Sequence, residues 1–261
     1  MSEQTAPPAP DCGDLPPAAA RPRHIEPLTL AILLSMLAAM ALFTLWPALD
    51  PAVSAFFYRP ETHDFAGNHS ALAMAVYRFI PLLARIAIVL IVIAFAIGLF
   101  IRGPRGRIWR IRAGFLAAAL ALGPGLVVDV ILKDYFDRAR PVKIIEFGGS
   151  ARFTPAFVPG DQCDGNCSFV SGHASAGFFF ASFGFLGGAM ARRRWTAIGL
   201  ALGGIAGLGR ISQGGHFLSD VVFAFYFTWF SAWLVWRIFR KLGWLAAVPE
   251  RRPPAGREED P

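Results

Sequence analysis

Six stretches of nearly unbroken apolar sequence constrain this chain more than any other feature, because each approaches the roughly 20 residues that a helix needs to cross a bilayer. Across the chain 55% of residues are hydrophobic and only 16% are charged, which is too apolar for an ordinary soluble domain. We therefore predict an all-α, polytopic membrane domain over residues 28–241 with six transmembrane helices. The stretches are residues 28–46, 81–101, 113–132, 174–191, 195–209 and 217–236.

Basic residues are distributed unevenly between these stretches. The connection after the second stretch reads RGPRGRIWRIR, the one after the fourth contains RRR, and three basic residues follow the sixth. Cytoplasmic connections of membrane proteins carry such an excess of positive charge. This pattern predicts cytoplasmic termini and places residues 47–80, 133–173 and 210–216 on the extracytoplasmic side. It also accounts for the net charge of +7 without nucleic acid as a partner.

The two ends of the chain differ in composition from the apolar domain. Residues 1–27 contain seven of the twenty prolines, and most of the segment 242–261 is polar and proline-rich. Such segments bury too little apolar surface to fold, so we predict a disordered cytoplasmic tail at the N-terminus and a cytoplasmic tail at the C-terminus. The first apolar stretch is longer than the core of a signal peptide, so we expect it to be retained.

Two of the three cysteines, Cys163 and Cys167, are four residues apart in a segment assigned to the extracytoplasmic side, whereas Cys12 lies in the N-terminal tail. In an oxidising compartment a disulfide between them would persist and close a small loop. Free thiols are the alternative. A metal site is disfavoured, because two cysteines without further ligands at suitable spacing cannot complete a tetrahedral shell.

Three clusters of charged and polar residues lie at the ends of the apolar stretches, all on the predicted extracytoplasmic side. The first, KDYFDRARP, contains Lys133 and Arg140 before a proline, which disfavours helix at the preceding residue and lets the two cations converge. Taken alone, this cluster is better explained by basic side chains that reach lipid headgroups. We expect Asp129, one turn earlier, to pair with Lys133.

The second cluster, Ser171, Gly172 and His173, begins the fourth apolar stretch. The first amides of a helix have no partner within the helix and can bind an anion. Glycine lets a ligand approach the backbone closely, and His173 follows directly. The alternative is a helix cap formed by Ser171, with an incidental histidine in the first turn.

The third cluster, GLGRISQGGHFLSD, contains Arg210, His216 and Asp220. The last two residues are four apart and lie on one helix face. The carboxylate can then bind one imidazole nitrogen and leave the other free as a nucleophile or base. A capped helix start with an incidental ion pair is the alternative.

Together the clusters supply three cations, two histidines and one carboxylate at one membrane face, where ionisable residues usually mark function. These groups fit a phosphate. The three cations and the amides near Gly172 would hold its oxygens, as phosphoryl transfer requires, and the two histidines would divide the proton and group transfers.

The order and spacing of the clusters resemble the signature of the type 2 phosphatidic acid phosphatase superfamily, whose helical core is shared with vanadium haloperoxidases. The signature motifs K-x6-RP, PSGH and SR-x5-H-x3-D correspond to residues 133–141, 170–173 and 209–220. Val170 stands in place of the usual proline and Gly209 in place of the usual serine. The second departure removes a hydroxyl that could contact the phosphate.

The resemblance implies a reaction and a role for each matched residue. His216 would attack phosphorus and form a phosphohistidine, Asp220 would orient it, and His173 would protonate the leaving oxygen and then activate water. The resemblance implies no metal and no other cofactor, because the cations supply the charge neutralisation. The expected partners are a phosphorylated membrane lipid and the bilayer. The expected phosphate-binding residues are Lys133, Arg140, Ser171, Gly172 and Arg210.

A narrower resemblance links three stretches to bacterial lipid A 4'-phosphatases. They read GPGLVVDVILKDYFDRARPV, QCDGNCSFVSGHASAGF and RISQGGHFLSDVVF. The resemblance implies removal of the 4'-phosphate of lipid A at the periplasmic face of the bacterial inner membrane. Undecaprenyl diphosphate, phosphatidylglycerophosphate and phosphatidate remain alternative substrates, because fold and motif do not specify the lipid. A non-catalytic binder or transporter of phosphorylated lipids is the alternative from another class, and six spans disfavour vanadate-dependent halide oxidation.

Overall fold

The computed structural model describes residues 26–163 and 165–245, which form a helical bundle. Cys12 and nearly all of the predicted tails lie outside the described residues. Two-residue strands, β1 (Tyr58–Arg59) and β2 (Asp64–Phe65), pair antiparallel in the connection that spans residues 56–70. The helices are α1 (Pro27–Leu45), α2 (Leu49–Ala55), α3 (Ala71–Phe100), α4 (Pro104–Leu120), α5 (Lys133–Phe136), α6 (Gly172–Phe178), α7 (Ala189–Ser212) and α8 (Leu218–Lys241).

Several tighter or wider helical segments connect these helices. A π-helical segment, Ala121–Leu132, joins α4 to α5, and a 3-10 segment, Phe179–Leu186, continues α6. Shorter 3-10 turns occupy Ala66–His69, Pro141–Lys143 and Ile145–Phe147. The last two turns lie in the long connection between α5 and α6.

Four helices in the described part of the chain are long and apolar enough to cross a membrane, namely Pro27–Leu45, Ala71–Phe100, Pro104–Lys143 and Leu218–Lys241. The chain is therefore a multi-pass membrane protein. The predicted stretch 174–191 corresponds to α6 and its 3-10 continuation, and the stretch 195–209 lies within α7. The arrangement of exactly six spans stays a prediction.

Small residues allow α7 to pack closely against α6 and its 3-10 continuation. A Cβ at Gly199 would stand only 2.8 Å from the backbone nitrogen of Ala181, and Gly203 lies directly under the ring of Phe178. Helices in membranes approach closely where such small residues line the contact. This contact holds the end of α6 and its 3-10 continuation against α7.

The π-helical segment begins just before Pro124, the proline of the GPG sequence. Proline has no amide hydrogen to donate, and its ring clashes with the carbonyl one turn earlier in a regular helix. We attribute the wider turns to this residue, because π-helical turns accommodate such an interruption. The segment leads directly into α5, whose first residue is Lys133.

Contacts between helices show which residues lie at each of the two ends of the bundle. Glu26, just before α1, pairs with Arg192 of α7, whose guanidinium lies 4.3 Å above the ring of Trp236 near the end of α8. At the other end Asp50, on α2, contacts Ser219 at the start of α8. The described chain therefore begins and ends at the same end of the bundle, and the three sequence clusters lie at the opposite end.

Candidate active site

His216 lies in the turn between α7 and α8 and is only 2% exposed. Its Nδ1 is 2.8 Å from the carbonyl oxygen of Ser168, to which it donates a hydrogen bond. The nearer carboxylate oxygen of Asp220 is 3.7 Å from Nδ1, which is longer than a hydrogen bond. Because Nδ1 is engaged, Nε2 is the nitrogen that can act on a ligand.

Asp220 is fully buried in the first turn of α8 and is saturated with donors. One carboxylate oxygen accepts from Nη1 of Arg138 at 2.6 Å. The other accepts from the Ser168 hydroxyl at 2.5 Å and from the Phe217 amide at 2.7 Å. The expected direct hydrogen bond from His216 to Asp220 is therefore replaced by an indirect link, because the Ser168 hydroxyl donates to Asp220 and the Ser168 carbonyl accepts from Nδ1 of His216.

Arg138 and Asp50 extend this network, although sequence reasoning selected neither. Arg138 is 1% exposed and donates to the Ser219 hydroxyl, to Asp220, to Asp50 at 2.8 Å and to the Thr154 carbonyl. Asp50 also accepts from the Ser219 amide and hydroxyl. Arg138 was not selected because Arg140, in the same basic motif, occupies the arginine position of the K-x6-RP signature. The signal for Asp50 was a lone carboxylate shortly after the first apolar stretch.

Lys133 and Arg140 both donate hydrogen bonds to Asn166, which lies in the cysteine loop, residues 163–167. Nζ of Lys133 is 2.6 Å from Asp129, as the one-turn spacing predicts, and 3.4 Å from the side-chain oxygen of Asn166. Arg140 donates from Nε and Nη2 to the carbonyl oxygen of Asn166, at 3.1 and 2.7 Å. In the structure Cys163 and Cys167 are joined, with Cα atoms 5.8 Å apart, so that Asn166 belongs to a closed loop.

Arg210 lies in the last turn of α7, and three neighbouring residues fix the position of its guanidinium. Nη1 donates to the side-chain oxygen of Gln213 at 2.7 Å, and the guanidinium lies 5.0 Å from the ring centre of Tyr77. Gly215 lies so close that a Cβ there would collide with the guanidinium. Nε is buried and has no acceptor among the described residues.

His173 lies at the start of α6, where its ring stacks on Tyr77 with centroids 4.7 Å apart. Ser171 is fully buried, and its hydroxyl accepts the amide of Ala174, so its side chain caps the helix. The cap uses the hydroxyl oxygen as an acceptor and leaves its hydrogen able to donate, so contact of Ser171 with a phosphate stays a prediction. A Cβ at Gly172 would stand 3.1 Å from Nζ of Lys133, which shows how close the second cluster lies to the first.

The electrostatic environment of His173 shows that the three clusters converge. Burial, with a smaller contribution from nearby positive charges, lowers the pKa of His173 from 6.5 to about 4. Burial also lowers the pKa of His216. Both imidazoles are therefore neutral in the ligand-free site at pH 7. The groups that lower the pKa of His173 are Arg210, His216, Lys133 and Arg140.

Residues 112–244 match the PAP2 superfamily. The chain belongs to this superfamily. A lipid A 4'-phosphatase of Francisella tularensis subsp. novicida (strain U112) is 39% identical over 212 residues, which cover 78% of this chain and 92% of that protein. A lipid A 4'-phosphatase of Rhizobium leguminosarum is 38% identical over 117 residues, 44% of this chain and 48% of that protein.

A solved PAP2 structure also resembles this one. It is the crystal structure of the first transmembrane PAP2 type phosphatidylglycerolphosphate phosphatase from Bacillus subtilis, which is 19% identical, with a TM-score of 0.46 over 82% of this chain and 96% of that chain. The family match and the Francisella relative confirm the family resemblance in the motifs and the prediction of a phosphoric monoester hydrolase. Within the described residues no group of three or more His, Cys, Asp or Glu side chains could hold a metal ion.

Proposed function

We propose that this PAP2 protein removes the 4'-phosphate of lipid A, a phosphate monoester on a lipid headgroup, at the periplasmic face of the bacterial inner membrane. The observation that carries the chemistry is the convergence of two neutral imidazoles and three cations at one end of the bundle. The similarity to the Francisella lipid A 4'-phosphatase over 92% of that protein supports the choice of lipid.

The cations bind and neutralise the phosphate. The charges of Lys133, Arg140 and Arg210 all lower the pKa of His173. A phosphate held between these cations therefore lies beside the ring of His173. The buried Nε of Arg210 supplies a donor without an acceptor among the described residues. Charge-assisted hydrogen bonds of this kind stabilise the charge that develops on the phosphoryl oxygens in the transition state.

The first half of the reaction transfers the phosphoryl group to the enzyme. Nε2 of His216 attacks phosphorus, the bond between phosphorus and the sugar oxygen breaks, and His173 donates its proton to that oxygen. In the ligand-free site His173 is neutral because its pKa is about 4. The negative charge of a bound phosphate opposes the cations that lower this pKa, so substrate binding favours the protonated form.

The second half of the reaction restores the enzyme. His173, now neutral, takes a proton from water as the water oxygen attacks the phosphohistidine. The bond between phosphorus and Nε2 breaks, inorganic phosphate forms, and His216 returns to its neutral state. The hydrogen bond from Nδ1 to the Ser168 carbonyl keeps the ring in one orientation through both halves.

The charge distribution supports a periplasmic site. The arginine-rich segments RGPRGRIWRIR and RRR lie at the starts of α4 and α7, at the end of the bundle where Glu26 pairs with Arg192. Positive connections of this kind remain in the cytoplasm. The candidate active site lies at the other end, so the termini are cytoplasmic and the site faces the periplasm.

Membranes that contain the full-length protein, incubated with bis-phosphorylated lipid A, test this proposal. We expect mass spectrometry to show loss of the 4'-phosphate alone, and His216→Ala to abolish the loss. His69→Ala is the matched control, because this exposed histidine pairs with Asp64 outside the site. Loss of the other phosphate, faster hydrolysis of phosphatidate or phosphatidylglycerophosphate, or turnover by His216→Ala would contradict the proposal.

A further inference from the structure

We infer that Asp50 and Arg138 are positioning residues for the phosphatase reaction, because together they set the place and charge of Asp220 and, through it, of His216. The inference rests on the proposed role of His216 as the nucleophile. Neither residue touches the predicted phosphate position, and both belong to a buried polar cluster at the start of α8.

The cluster is continuous from α2 to the histidine. Asp50 accepts from Nη2 of Arg138 at 2.8 Å, and Nη1 of Arg138 donates to Asp220 at 2.6 Å. Asp220 accepts the Ser168 hydroxyl, and the carbonyl of Ser168 accepts Nδ1 of His216. Each step is a hydrogen bond between groups that are almost completely buried. A change in the charge or position of Asp50 is therefore expected to alter the position of the His216 imidazole.

The charges of the cluster do not cancel. Two carboxylates share one guanidinium. Burial raises the pKa of Asp50 and the charge of Arg138 opposes this rise, while every contact of Asp50 is with a donor, as an ionised carboxylate requires. One negative charge therefore remains, and the Asp220 carboxylate lies 3.7 Å from the imidazole. When Nε2 of His216 bonds to phosphorus, the ring gains positive charge. The remaining negative charge stabilises that state, and Asp50 is the residue that keeps Arg138 from neutralising Asp220 fully.

A purely structural role would give the same contacts, since the cluster also ties α2 to the first turn of α8. The two roles differ in what they do to turnover. A tie between helices changes the amount of folded protein, whereas a positioning role changes the rate per folded molecule. The decisive experiment therefore measures both quantities in the full-length protein.

The principal variant is Asp50→Asn, which keeps the size of the side chain and an acceptor for Ser219 but removes the charge. We expect kcat to fall about tenfold, with KM within about twofold of the wild type, because the charge acts in the transition state rather than in binding. Arg138→Lys keeps the charge but cannot reach both carboxylates, so we expect a fall of about 100-fold in kcat.

The control variant is Arg192→Lys, which alters the buried arginine at the opposite end of the bundle and should leave kcat unchanged. Rapid-quench detection of the phosphoenzyme from radiolabelled substrate gives the fraction of active sites and the rate of the first step. We expect an unchanged amplitude and a slower rate in Asp50→Asn. A wild-type rate in this variant, or a loss explained wholly by amplitude, would overturn the inference. A wild type without activity on any phosphorylated lipid would instead refute the proposed function.

Discussion

Two buried arginines lie at opposite ends of the bundle, and their surroundings differ. Arg138, 1% exposed, donates to two carboxylates, a hydroxyl and a carbonyl. Arg192, 6% exposed, pairs with Glu26 and stacks on the rings of Phe185 and Trp236. Its Nε has no hydrogen-bond acceptor among the described residues.

A buried charge is therefore not by itself a sign of function. Arg192 gains much of its stabilisation from aromatic faces at the predicted cytoplasmic boundary, where long basic side chains commonly lie. Arg138 instead satisfies a polar cluster that ends on the proposed nucleophile, His216. Burial is similar for the two arginines, and the groups they connect separate the structural residue from the positioning residue.

Replacing each arginine by methionine, in Arg138→Met and Arg192→Met, tests the difference between the two ends most directly. We expect Arg138→Met to have the larger effect. Removal of Arg138 leaves Asp50 and Asp220 buried without their cation, which costs about 3–5 kcal/mol of stability. We also expect phosphatase activity to fall by about three orders of magnitude, since the nucleophile loses its orienting carboxylate geometry. Thermal unfolding in detergent and phosphate release from lipid A measure the two effects.

Arg192→Met keeps much of the apolar contact with Trp236 and leaves a single, partly exposed carboxylate unpaired. We expect a cost of about 1 kcal/mol and unchanged activity per folded molecule. Equal losses of activity in the two methionine variants would show that the two ends do not differ in the way proposed.

A smaller effect is expected from the cysteine loop, which lies at the site end only. Asn166 binds Lys133 and Arg140, so Cys163→Ser combined with Cys167→Ser should loosen the hold on both cations. We expect KM for lipid A to rise about tenfold with a smaller change in kcat, because phosphate binding weakens first. Steady-state kinetics with and without a thiol reductant provide the measurement.

Cys12→Ser is the control for this pair, because that cysteine belongs to the N-terminal segment of the sequence. The wild type treated with reductant should behave like the double variant, and the double variant should not respond to reductant. Insensitivity of the wild type to reductant, with free thiols detected at Cys163 and Cys167, would show that no disulfide positions the cations.

The sequence predicts the site more completely than it predicts the supporting network. Lys133, His173 and His216 could be chosen because their motifs have fixed spacing, and fixed spacing survives in the primary structure. The hydrogen bond from His216 to the Ser168 carbonyl could not be chosen, since a backbone acceptor has no residue-type signal. Asp50 is 170 residues from Asp220 along the chain, and only the packing of α2 against α8 brings them together.

The fold shows the same limit. Long apolar helices such as α1, α3 and α8 follow from hydropathy alone, and the structure has them within a few residues at most ends. The exception is the N-terminal end of α3, which begins ten residues before its predicted stretch, at Ala71. Arg78 interrupts the apolar sequence there, and the preceding Tyr77 stacks on His173 and lies beside the guanidinium of Arg210.

The pH dependence of stability also distinguishes the two ends of the bundle, because it depends on histidines at the site end. We expect this effect to be smaller than those of the substitutions above. Burial, followed by the charges of Arg210, His216, Lys133 and Arg140, lowers the pKa of His173 from 6.5 to about 4. Between these values the unfolded chain binds more protons than the folded protein. Stability therefore falls as the pH is lowered from about 6.5 towards 4. Unfolding temperatures measured across this range should show the slope.

His173→Gln should flatten this slope without abolishing it, because the pKa of His216 is also lowered by burial. Arg192→Lys is the control, since both side chains stay protonated throughout this range and the slope should not change. Inorganic phosphate should raise the unfolding temperature most at the acidic end, because the bound anion favours the protonated imidazole. An unchanged slope in His173→Gln would mean that the cations do not act on this ring, and the proposed proton transfer from His173 would lose its electrostatic basis.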